Sequence, residues 1–81
     1  MFDPHALHSL PAPDQHRRLS TDVAADLVST IISDMPHMPT PVLEELQRFA
    51  GDPTVANALR LAQALRYEGR EGLAREVEDV L

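Results

Sequence analysis

A chain of 81 residues, 43% hydrophobic and 25% charged, fits one small soluble domain with room for a single core. Thirteen acidic residues against seven basic ones leave a formal net charge of -6, which excludes the basic patch that releases counterions from a nucleic acid. The lack of cysteine excludes a disulfide framework, a thiolate nucleophile and a cysteine-ligated metal, and basic residues that are all arginine exclude Schiff-base and phosphate-loop lysine chemistry.

No secretory leader is expected, because the acidic Asp3 stands where a basic region belongs and prolines interrupt the early apolar stretches. No apolar run approaches the roughly 18 residues that span a membrane. The chain is therefore expected in the cytoplasm, with no membrane contact. Residues 1–18 contain Pro4, Pro11 and Pro13 without a sustained apolar period, and read as an irregular arm. Phe2, Leu7 and Leu10 give that arm the means to lie across a hydrophobic groove. His5 and His8 stand three apart, with His16 further on, and would share a divalent cation if the arm were helical. Only Asp3 and Asp14 add ligands there, and a proline-broken arm does not preorganise them, so solvated histidines are the better reading and no metal or cofactor is expected.

From Leu19 the pattern changes. Leu19, Val23, Ala24, Leu27, Val28, Ile31, Ile32 and Met35 form a helical stripe. Ser20 or Thr21 caps this helix, Asp22 suits its first turn, and it ends near Asp34 before Pro36. A strand reading of residues 28–32 fails, because it puts Ile31 and Ile32 on opposite faces. Met35 to Pro41 holds three prolines and predicts a stiff extended connector, in which His37 is a linker residue.

Thr40 then caps a short helix opened by Pro41, with Val42, Leu43, Leu46, Phe49 and Ala50 on its apolar side and Gly51 as its stop. The same grammar repeats: Asp52 caps, Pro53 opens, and Val55, Ala58, Leu59, Ala62 and Leu65 line one face as far as Gly69. Arg70 to Leu81 forms a last helix, with Leu73, Ala74, Val77, Val80 and Leu81 on one side and Glu71 spaced to pair with Arg75. Its end is electrostatically poor, since Glu78, Asp79 and the carboxylate of Leu81 share the negative pole. Fraying is expected there unless a cation covers it. The expectation is an all-α fold: a small bundle of three to four short helices over residues 19–81, an irregular arm over 1–18, and a C-terminal helical hairpin.

Two helices meeting at Gly51-Asp52-Pro53 raise a helix-turn-helix, with Asn57 and Arg60 as base readers. The proline removes the usual turn spacing, and Glu44, Glu45 and Asp52 stand where phosphates would approach, so nucleic acid is not the expected partner. No nucleophile, base and orienter fall on adjacent elements, and Ser29, Thr30 and Ser33 read as hydrating the first helix, so an enzyme is not expected. That helix carries Asp22, Asp26 and Asp34 with no basic residue between Leu19 and Met35, whereas the later helices mix arginine with glutamate. The pattern reads as an ordinary solvated face or, more sharply, as an acidic ridge that docks on an arginine-rich partner.

Leu61-Ala62-Gln63-Ala64-Leu65, then Gly69-Arg70, then Ala74 resembles the core of one tetratricopeptide repeat over about the last third of the chain, with Ala58 and Leu65 where large aromatics are usual. The resemblance implies a helical-hairpin protein-binding surface. The expected function is that of a small acidic interaction module, an adaptor, chaperone-like cofactor or inhibitor that acts as a homo-oligomer on a partner with a basic surface. Its expected contact residues are Asp22, Asp26, Asp34, Leu27 and Ile31 on the first helix, with Phe49 and Leu73 on the later ones. The alternative is a small dimeric transcriptional regulator or antitoxin.

Overall fold

The computed structural model describes residues 16–81; the histidine pair His5 and His8, with Phe2, Leu7 and Leu10, lies outside the described residues. Four α-helices follow one another: α1 (Thr21–Asp34), α2 (Thr40–Gly51), α3 (Val55–Tyr67) and α4 (Glu71–Asp79), with no strand among the described residues. Ser20 caps α1, its hydroxyl accepting from the Val23 amide at 3.2 Å, and the Met35 amide closes the other end on the Ile31 carbonyl at 2.9 Å. The connector after α1 differs from the extended form expected over 35–41. Met35 is buried, the chain bends at positions 36 and 37, and α2 already begins at Thr40 with Pro39 at its cap. Pro41 occupies the first turn, where its missing amide hydrogen has no helical partner to lose.

The start of α3 also corrects the expectation. Thr54, not Asp52, is the cap: its hydroxyl accepts from the Asn57 amide at 3.2 Å. Asp52 and Pro53 lie outside the helix, where residues 17–19 pair edge to edge with residues 53–55. The Leu19 amide donates to the Pro53 carbonyl and the Val55 amide to the Arg17 carbonyl, both at 2.8 Å, around an antiparallel bridge between Arg18 and Thr54. The Arg18 guanidinium meets the Asp52 carboxylate beside this bridge. Residues 17 and 18, read from sequence as part of the arm, are thus fastened to the junction of α2 and α3.

One hydrophobic core runs through all four helices, from Leu19 and Ala24 to Ala74 and Val77. Helices α3 and α4 pack most closely, α2 lies on α3, and α1 closes the arrangement by touching α2 and α4. Because α3 has neighbours on two sides, its buried face is wide. Leu61 is fully buried there, while Leu59, expected inside, is half-buried. The hairpin turns at Gly69, whose φ of 77° lies in the left-handed region that a side chain disfavours. Small residues bring the hairpin helices together: Ala58 and Ala74 have no exposed surface and Ala62 has 1%. No described helix is long and apolar enough to cross a membrane.

Candidate interaction surface

The arginines are nearly all spent inside the molecule. Arg48 and Arg60 both reach Glu45, at 3.3 and 3.1 Å, and Arg66 joins Glu71 at 2.7 Å and Glu78 at 2.8 Å. Arg70 pairs with Asp34 at 3.5 Å, Arg18 with Asp52, and Arg17 donates to the main-chain oxygen of Leu81 at 2.7 Å. The last contact supplies the cation that the negative pole of α4 requires, and it comes from the same chain. Arg17 and Arg75 have no ion pair with a side chain among the described residues, and of the two Arg75 acts on Glu78 at longer range. Glu78 is held below its ordinary range, first by the hydrogen bond from Arg66, and the two carboxylates in turn raise the Arg66 guanidinium. Glu71 therefore serves Arg66 rather than the Arg75 that its spacing suggested.

With the cations so used, Asp22 and Asp26 of α1 and Glu76 and Asp79 of α4 carry no ion pair among the described residues, and all four are exposed. Asp26, Glu76 and Asp79 line one seam, and Asp22 stands about one helical turn before Asp26. Val23 and Asp26 line a groove of about 310 Å³ with Asp79 and Val80, while Ser33 and Asp34 line the adjoining groove of about 640 Å³ with Gly72 and Leu73. These pairings make α1 and α4 antiparallel, and Thr30 and Glu76 border both grooves, so the two are continuous.

Of the expected contact residues, Asp26 stands on this seam with no ion pair among the described residues, Asp34 stands at its end, held by Arg70, and Asp22 lies exposed beyond the grooves. The apolar ones are corrected by their burial. Phe49 has no exposed surface and Ile31 has 1%, so both hold the helices together instead of presenting a face, while Leu27 and Leu73, buried in the same core, reach the surface only at the bottom of these grooves. Sequence reasoning missed the exposed apolar groups that do reach the surface: Leu43, Tyr67, Val80 and above all Ile32, which was expected in the stripe but is 50% exposed. Val28 and Ala25 flank Ile32 on the side of α1 that opens toward Ala50 and Pro53, around a groove of about 480 Å³. Asn57 and Arg60, the imagined base readers, are engaged internally. The Asn57 amide group donates to the Asp52 carbonyl at 2.8 Å and Arg60 is bound to Glu45.

No family model, curated protein or solved structure matches this chain. The residues behind the tetratricopeptide resemblance, Ala62, Leu65, Gly69 and Ala74, are accounted for by the packing and turn of the α3–α4 hairpin.

Proposed function

We propose that this chain is a small acidic interaction module, an adaptor, chaperone-like cofactor or inhibitor that docks on a protein with a basic surface. The observation that carries the reading is the distribution of charge. Arginines are consumed by internal pairs, while α1 has no basic residue of its own and keeps Asp22 and Asp26 unpaired on its outer side. Exposed carboxylates contribute little to a fold, so their concentration on one helix is available for steering an encounter.

The test is to identify the protein that co-purifies from the native cell, then compare the wild type with the D22N/D26N/D34N triple variant. Circular dichroism should stay nearly unchanged, whereas association should slow and lose much of its salt dependence. Association at the wild-type rate, with the same response to salt, would sink the reading. Self-association belongs to the opposite flank of α1, where Ile32, Val28 and Ala25 open to solvent and a two-fold axis would bury them against their copies. Light scattering at micromolar concentration should give more than the monomer mass, and Ile32→Glu should restore the monomer.

A further inference from the structure

We infer that the seam between α1 and α4 is the seat of one short cationic amphipathic helix of the partner protein. The inference rests on the acidic-module reading and adds to it the place and the shape of what binds.

Leu27 and Leu73 close the seam from below and Val80, 37% exposed, stands at its rim, while Ser29, Thr30 and Ser33 give the Asp34 half a hydroxyl-lined wall. The rims are acidic, with Asp26 on one side and Glu76 and Asp79 on the other, and an arginine meets the seam only at its end, where Arg70 holds Asp34. Such a trough suits a helix with leucine-like anchors below and arginine or lysine along both flanks, the pattern of helix-in-groove recognition. The length agrees. From Val23 to Asp34, α1 offers about 17 Å, or roughly three helical turns. Space agrees as well, because Gly72 has no side chain and a Cβ built there meets nothing within 4 Å. The contact between α1 and α4 is also the sparsest among the helix pairs that touch, which leaves the trough open among the described residues. A second copy of this chain is the wrong occupant of this trough, since, Arg75 apart, its arginines are engaged within the molecule and leave no row of cations for the acidic rims.

The probe is a pair of synthetic peptides of leucine, arginine and alanine, each about four turns long and equal in composition, one amphipathic as a helix and one scrambled. Titrated into the full-length nitrogen-15-labelled protein, the amphipathic peptide should shift the amides of Val23, Leu27, Thr30, Leu73 and Val80. It should bind about tenfold more weakly to D26N/E76Q, while E44Q/E68Q, which removes the same charge elsewhere, should change affinity less than about twofold. Thr30→Arg should abolish binding, with an unchanged circular dichroism spectrum showing that this exposed position tolerates the change. The seat is overturned if the scrambled peptide binds as well, if E44Q/E68Q weakens binding as much as D26N/E76Q, or if the shifts collect elsewhere or do not occur. None of those results touches the broader reading, which stands or falls on the association kinetics of the native partner.

Discussion

Phe49 and Tyr67 mark the two extremes of what a side chain does here: Phe49 has no exposed surface and Tyr67 is 87% exposed. Phe49→Ala should lower the unfolding free energy by about 3–5 kcal/mol, a large share of what so small a domain commands, and Tyr67→Ala by less than about 0.5 kcal/mol. Urea titrations at neutral pH would separate the two. A second prediction follows from Glu78. Its carboxyl is depressed below the ordinary value of 4.5, so the stability it contributes is present above that value and is lost as pH falls through the folded-state value. The urea midpoint should therefore drop as pH is lowered below about 4.5, and E78Q should flatten that part of the profile. The partner of Glu78 was not legible in the sequence. Spacing within one helix reveals only neighbours three or four positions away, and it pairs Glu71 with Arg75. Arg66 meets both Glu71 and Glu78 because the turn at Gly69 folds α4 back past the end of α3, a consequence of tertiary closure.

At the scale of elements, the helices themselves were legible: α1 has the cap and end that Ser20 and Pro36 indicate, and its stripe holds for Ala24, Leu27 and Ile31 but not for Ile32. The start of α3 was not, because a proline after an aspartate is a good opening only when nothing else claims it. Here Pro53 and Val55 are claimed by backbone pairing to Leu19 and Arg17 from far earlier in the chain. The seam was half legible for the same reason. Asp22 and Asp26 could be placed on the outer side of α1 from their spacing, but Glu76 and Asp79 join them only once α4 is known to lie antiparallel alongside. The elements yield their own prediction. Ser20→Ala and Thr54→Ala should each cost about 1 kcal/mol through the lost caps. Gly69→Ala should cost about 1–2 kcal/mol from its left-handed backbone. Gly72→Ala, inside α4 and facing open space, should instead stabilise by up to about 1 kcal/mol. Thermal melts of the four variants would rank them.

At the scale of the whole molecule, the segment from Arg17 to Leu19 acts as a clasp. It reaches the α2–α3 junction through the backbone and the end of the chain through the Arg17 guanidinium, on residues 64 positions apart in sequence. Arg17→Ala should loosen the last turn without unfolding the core. Hydrogen exchange should accelerate at the amides of Val80 and Leu81 while those of Leu61 and Leu65 keep their protection. Equal acceleration throughout would show that the clasp contributes to global stability instead.

The clasp and α1 also set an order in time. Helices α2 to α4 contact their immediate neighbours in sequence, so their closure needs only short loops, whereas seating α1 on α4 and pairing Arg18 with Thr54 must close long ones. The rate-limiting barrier to folding should then be crossed with the C-terminal helices assembled and α1 still loose. Ile31→Val, in α1, should speed unfolding about two- to tenfold and leave refolding almost unchanged, while Leu65→Ala, in α3, should slow refolding. Stopped-flow chevrons would read this directly. A ligand seated between α1 and α4 would then lengthen the lifetime of the native state by slowing the first step of unfolding, the departure of α1, far more than it would hasten the return.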